Sequence, residues 1–177
     1  MTHKMSRLAL QQPSDYQNSN PGTCFEDLDF ILNMNSAYEL QDTVTDLRVT
    51  EGEEIIGYKV GCTGSGTTGQ FGMKGPIRGT LFDSELLRNE SELDFNLFTN
   101  LAIEGEMAVT IGTNGEIISA FPVIELHNFV FRAPMKTLPE LIANNGFNAG
   151  VVCPDLTWQG STQHVNQSAQ LSVKINS

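Results

Sequence analysis

The side chains that could do chemistry are concentrated between residues 59 and 127. Glu104 and Glu106 flank Gly105 in the segment from Leu101 to Ile111, where apolar and polar residues alternate well. That pattern predicts a strand, and in a strand residues two apart point the same way. Ala102, Glu104, Glu106 and Ala108 then share one face, and Leu101, Ile103, Gly105, Met107 and Val109 share the other. A solvated polar face accounts for the two acids. So does a pair of hard oxygen ligands, since adjacent carboxylates in a cleft need a cation between them. Glu125 adds weight to the second reading. It sits in Phe121-Pro122-Val123-Ile124-Glu125-Leu126, with apolar neighbours of both parities, so burial is hard to avoid. A buried carboxylate without a partner is costly or gives up its charge, so Glu125 calls for a lysine, an arginine or a metal. Three carboxylates, two on one strand and one on the next after a hairpin, suit Mg²⁺ or Mn²⁺ with water positions left open.

Lys59 lies in Ile55-Ile56-Gly57-Tyr58-Lys59-Val60-Gly61 and shares its parity with Ile55, Gly57 and Gly61. It is either a snorkelling lysine on an edge strand or a fixed cation and proton carrier beside a bound anion. Asp83, in Leu81-Phe82-Asp83-Ser84, is either a turn-former or a base. His127 follows Glu125 on the same parity, where a hydrogen-bonded structural histidine is the commoner case and a metal ligand the other. His3 and His164 have no supporting context. No Gly-x-Ser-x-Gly elbow, His-Glu-x-x-His helix or phosphate-cradle motif occurs, so nucleophilic serine chemistry and nucleotide phosphate binding find no support.

The elements that must position these residues are legible in outline. Residues 1–22, polar and rich in Gln, Asn, Ser and Pro, suggest a flexible N-terminal arm, and residues 23–177 a single domain. Capping-box patterns at Thr23-Cys24-Phe25-Glu26 and Ser36-Ala37-Tyr38-Glu39 each precede apolar residues at helical spacing. They predict two helices, or one broken near Asn33-Met34-Asn35. Ile55 to Gly61 reads as a strand. Gly64, Gly66, Gly69, Gly72, Gly75 and Gly79 then suggest a long loop. Asn114-Gly115 marks a hairpin after the Leu101–Ile111 strand, and Phe121 to Leu126 forms the next strand. Thr137-Leu138-Pro139-Glu140 starts a short helix that Asn145-Gly146 stops. Gly150 to Cys153 is a brief strand. Ala169, Leu171, Val173 and Ile175 alternate as a last strand that lacks a return partner. The fold class is α+β: N-terminal helices, then a mainly antiparallel mixed sheet with one more short helix, unfinished at the C-terminus.

Composition narrows the function. With 21 acidic and 10 basic residues the formal charge is −11, which argues against nucleic acid and membrane surfaces as partners. The same charge repels anionic substrates, so a site for an acid needs a local cation. Cys24, Cys62 and Cys153 are too far apart for a zinc site or a disulfide framework, and no apolar run approaches the roughly 18 residues of a membrane span. A cytoplasmic protein is expected.

Taken in order, Ala37-Tyr38-Glu39-Leu40-Gln41, Gly57-Tyr58-Lys59-Val60-Gly61-Cys62-Thr63, Gly79-Thr80-Leu81-Phe82-Asp83, Glu104-Gly105-Glu106 and Pro122-Val123-Ile124-Glu125 resemble the 2-keto-4-pentenoate hydratase and 4-oxalocrotonate decarboxylase family. That family belongs to the fumarylacetoacetate hydrolase-like superfamily, and the resemblance runs from about residue 36 to 153. It implies a metal-dependent lyase acting on a small 2-oxo acid or its dienol, by hydration or by decarboxylation. Glu104, Glu106 and Glu125 would hold Mg²⁺ or Mn²⁺, Lys59 and Asp83 would handle protons, and Lys59, Thr63 and Leu81 would contact substrate. Association into homo-oligomers is expected. The sequence departs from the family in three places. Ser84 stands where members often carry the catalytic Asp. Asn144-Asn145-Gly146-Phe147 lacks the acid and serine of the Asp-Asn-Ala-Ser segment. The family also continues for roughly another half-domain. These departures keep a second expectation open, a truncated homologue that only binds a metal or ligand or pairs with another chain. A C–C bond hydrolase of the same superfamily is a third.

Overall fold

The computed structural model describes residues 3–18, 31–72, 75–129, 137–155, 160–165 and 170–176. The first element, α1 (His3–Gln17), occupies most of the segment whose composition suggests a flexible arm. Its buried residues explain the difference. Met5, Leu8, Ala9 and Gln12 recur at i, i+3, i+4 and i+7 and are all buried, a face too narrow to stand out against the polar remainder. Gln12 donates from its amide to the Ala143 carbonyl and to Asn144 Oδ1, both at 3.0 Å, tying α1 to a helix more than a hundred residues away.

Helix α2 (Met34–Thr50) begins before the Ser36 box, because Asn33 is the cap: its Oδ1 accepts Ser36 N–H at 2.9 Å. The Thr23 box falls outside the described residues. Ala37, Leu40 and Gln41 of α2 are buried, and the Gln41 amide donates to Ile142 O at 2.7 Å and Arg78 O at 3.1 Å. Strands β1 (Ile55–Gly61) and β2 (Ile77–Phe82) form a two-stranded antiparallel sheet in which Lys59 faces Gly79. Between them the glycine-rich stretch forms a short helix, α3 (Ser65–Phe71), where the sequence suggests loop. Thr67 and Thr68 hydroxyls both donate to Gly64 O, and Gly72 at φ 61° closes it.

The second sheet has four strands in the order β3-β6-β5-β4. Strand β4 (Leu101–Ile111) and β5 (Ile117–Asn128) make the expected hairpin, with Gly115 at φ 82° in the turn. Strand β6 (Asn148–Val152) pairs antiparallel with β5 and parallel with the short β3 (Leu86–Leu87). Helix α4 (Leu138–Ala143) precedes β6, and the Thr137 hydroxyl caps it by accepting Glu140 N–H at 3.3 Å. Residues 170–176, expected to belong to a strand, form none. They lie instead against β4 at Gly105, where a Cβ would come within 2.3 Å of Val173 Cγ2.

The core packs α1, α2 and α4 against β2 and the 145–147 turn, with Leu8, Leu40, Ile142 and Phe147 fully or almost fully buried. Together the elements form an α+β fold of helices and mixed, mainly antiparallel sheets. No helix among the described residues is long and apolar enough to cross a membrane.

Candidate active site and metal centre

The two sheets and α4 enclose a cavity of about 460 Å³ whose wall includes Lys59, Thr63, Glu104, Glu106, Glu125 and His127. Its geometry follows from strand register. Glu104 and Glu125 are direct partners across the β4–β5 ladder, and His127 follows two residues along β5 on the same face. Lys59 arrives from the other sheet. It is 8% exposed, in keeping with the small residues on its face of β1, and its ammonium group forms an ion pair with Glu125 Oε1. Lys59 Nζ also stands 2.9 Å from His127 Nε2 and donates to Gly146 O at 3.5 Å. The partner that a buried Glu125 requires is therefore a lysine, joined by a histidine.

The 145–147 turn is held against β2 by a side-chain amide that imitates a strand. Asn145 accepts Thr80 N–H at 2.7 Å and donates to Thr80 O at 2.8 Å. That docking places Gly146 O beside Lys59, and Gly146 itself adopts φ 63°, a conformation that suits glycine.

Electrostatics separate the three acids. Burial alone would raise the Glu125 pKa, but the hydrogen bond from His127 and the Lys59 charge outweigh it and hold the carboxyl at about 2. Glu106 is pushed upward, first by burial and then by the Glu125 and Glu104 charges. Glu104 remains half open to solvent, with its side chain 52% exposed. Three acids around one cavity with one lysine leave an excess of negative charge, the condition under which a divalent cation is favoured.

The donor chemistry fits such an ion. Glu104, Glu125 and His127 each offer a ligand atom, and these atoms lie within 4.8 Å of one another. Glu106 lines the same cavity without belonging to that tight group. His127 is thus more central than its sequence context suggests. The available signal was its parity with Glu125.

Not every expected residue is here. Thr63 lines the cavity. Leu81 is on the Lys59 face of β2, two rungs along opposite Gly57, and does not form part of the cavity wall. Asp83 begins a 3₁₀ turn after β2, is exposed, and accepts Glu54 N–H at 3.3 Å, the turn-former's role, outside the cavity. A second cavity of about 470 Å³ lies between α1, α2 and the 144–149 segment. Its one basic residue is tied up in ion pairs: Arg48 holds Glu53 at 2.6 Å and Glu85 at 2.8 Å.

No protein-family model matches the sequence. Among solved structures, the chain is similar to a 4-oxalocrotonate decarboxylase from Pseudomonas putida G7 complexed with magnesium and adipate, at a TM-score of 0.74 and 20% identity over 86% of this chain. A second structure of that decarboxylase, complexed with calcium and acetate, gives a TM-score of 0.68 and 19% identity over 86% of this chain. The chain spans 63% and 62% of those two chains. The likeness establishes that the chain shares the fold of that decarboxylase over most of its own length.

Proposed function

We propose that this protein is a metal-dependent lyase acting on a small 2-oxo acid or its dienol, with Glu104, Glu106 and Glu125 holding Mg²⁺ or Mn²⁺. The observation that carries the reading is the convergence of these three acids and Lys59 on one cavity. The fold adds support, since a protein that shares it is a decarboxylase complexed with magnesium. When bound, the ion supplies Lewis acidity toward the carboxylate and 2-oxo oxygens of the substrate. Lys59 gives the cavity of a strongly acidic chain its fixed positive charge, which draws an anionic substrate inward. Its Nζ protons, held toward Glu125 and Gly146 O, stand ready for delivery to a substrate carbon as a dienol becomes a ketone. Thr63 contributes a hydroxyl at the cavity wall. Hydration and decarboxylation draw on the same groups, and both remain within the proposal. Self-association of copies belongs to it as well.

A second reading has its own observation. Asp83, the other proton carrier that the resemblance implies, stands outside the cavity. On that reading the chain binds a metal and a 2-oxo acid but turns over little, because catalysis depends on rigid placement of every proton carrier. Calorimetric titration of Mn²⁺ with and without oxalate, in wild type and Glu106→Ala, tests the shared premise. Binding that tightens with oxalate and weakens in the variant supports a 2-oxo acid site. Folded wild type that binds no Mn²⁺ excludes both readings. Turnover of 2-oxo acid substrates by the loaded protein then separates the lyase from the binding protein.

A further inference from the structure

The second cavity, of about 470 Å³, has the size of a small-molecule site and takes no part in the function proposed above. Two amide side chains in its wall are buried and only half satisfied. Asn128 is 4% exposed, and its Oδ1 accepts the Thr99 and Asn100 N–H groups, both at 3.0 Å. Those two bonds fix which end of the amide is which. The other end, Nδ2, has two hydrogens to give and no partner among the described residues, and it is this end that is left for the cavity. Gln12 is 2% exposed and spends its Nε2 on Ala143 O and Asn144 Oδ1, which leaves Oε1 as an acceptor without a donor among the described residues. Buried polar groups are nearly always hydrogen-bonded, so a free donor and a free acceptor on one cavity indicate what an occupant supplies.

The rest of the wall narrows its chemistry. Val44, Phe82, Leu97 and Phe98 give apolar surface. Arg48 is the only cation in the wall among the described residues, and Glu53 and Glu85 already hold it. An anion, a 2-oxo acid included, therefore meets no free positive charge there, and burying it unpaired is costly. A cation meets two acids that are already engaged. An uncharged molecule with an apolar body and an amide edge suits every part: its carbonyl accepts from Asn128 Nδ2, and its N–H donates to Gln12 Oε1.

This cavity shares a wall with the acid cavity. Asn128 and His127 are consecutive on β5, so they project to opposite sides of the sheet, one toward each cavity. In the turn before β6, Asn145 borders the second cavity, while Gly146, whose carbonyl accepts from Lys59 Nζ at 3.5 Å, borders the acid cavity.

We propose that the second cavity is a regulatory site for a small uncharged amide or lactam, and that its occupation steadies the 144–148 segment and, through Gly146 O, Lys59. The inference goes beyond the lyase reading and does not rest on it, because neither the ligand nor the readouts involve a metal.

Benzamide is the probe, with benzoate as its charged counterpart, and titration calorimetry on the whole chain measures both. Wild type should bind benzamide at least about tenfold more tightly than benzoate. Asn128→Asp keeps the Oδ1 acceptor and removes the free donor, and Val44→Phe narrows the cavity from α2. Each should weaken benzamide at least about tenfold, with folding checked by circular dichroism. Glu106→Ala, altered in the acid cavity, should bind benzamide as wild type does. Saturating benzamide should slow amine modification of Lys59 by about fivefold or more. Folded wild type that binds no benzamide, or benzoate equally well, overturns the site and leaves the cavity to water. Undiminished binding in both cavity variants overturns it too, as does binding that only Glu106→Ala weakens. Benzamide binding with unchanged Lys59 modification overturns the coupling.

Discussion

Lys59 and Gly79 face each other across the β1–β2 ladder, and the glycine exists there because the lysine stem occupies the space above it. A Cβ at Gly79 would meet Lys59 Cγ at 2.8 Å and the Asn145 backbone oxygen at 2.9 Å. The lysine could swing away, but the backbone oxygen belongs to the turn that Thr80 clamps. Gly79→Ala should therefore destabilise the fold by about 1–3 kcal/mol through overpacking. It should also push Lys59 out of its pocket. Urea denaturation gives the first quantity, and the rate of amine modification at Lys59 gives the second. A variant with wild-type midpoint and wild-type lysine reactivity would contradict this packing.

Lys59 and Glu125 form a buried pair, with side chains only 7% and 14% exposed. Removing one member strands the other. Lys59→Met should cost about 3–5 kcal/mol in urea, more than the lost contact itself, because the Glu125 carboxylate is left with His127 alone. The double variant Lys59→Met, Glu125→Leu should recover part of that loss, since it removes the stranded charge. If the double variant were as unstable as the sum of the single ones, the pair would not be coupled.

The Arg48 cluster should write two opposing slopes into the pH dependence of stability. Glu53 is held below its ordinary value of 4.5, chiefly by its hydrogen bond from Arg48. Its contribution is present above that value and is lost as pH falls through the lowered folded value. Glu85 is shifted the other way, because burial outweighs its Arg48 ion pair at 2.8 Å. Its contribution is full below 4.5 and is lost as pH rises through the raised folded value. Urea midpoints measured against pH should show Glu53→Gln flattening the acid side and Glu85→Gln flattening the decline above it. Identical pH profiles for wild type and both variants would rule the cluster out as their source.

Gly105 separates Glu104 from Glu106 and also admits the C-terminal segment, whose Val173 and Leu171 reach into the space a side chain would fill. Val173 is 53% exposed and belongs to no strand, so it can move where the β4 ladder cannot. Gly105→Ala should release residues 170–176 while changing global stability by less than about 1 kcal/mol. Trypsin should then cut faster at Lys174 with the urea midpoint nearly unchanged. Wild-type cleavage kinetics would show that Gly105 is not the seat of this segment.

The elements that the sequence determined are those whose signals are local. The hairpin at Asn114-Gly115, the Thr137 cap and the strand β4 each depend on near neighbours, and each forms where its residues indicate. The need of Glu125 for a partner was equally local, since the apolar residues on both sides of it announce a buried charge. Tertiary structure decided what met that need. Lys59 is 66 positions away in the chain, and no spacing rule reaches from β1 to β5. The same holds for α1, whose few apolar residues become a core face only against α2 and α4, and for the glycine stretch that closes into α3. Asp83 carries the right residue type, yet the end of β2 turns it toward Glu54 and away from the acids. His127 carries an ordinary local context, yet register sets its ring against Glu125 and leaves Nδ1 facing Glu104. Sequence fixes which groups must find partners, because burial and charge are properties of a residue and its neighbours. Packing alone fixes which partners they find, because those distances exist only once the two sheets close on one cavity.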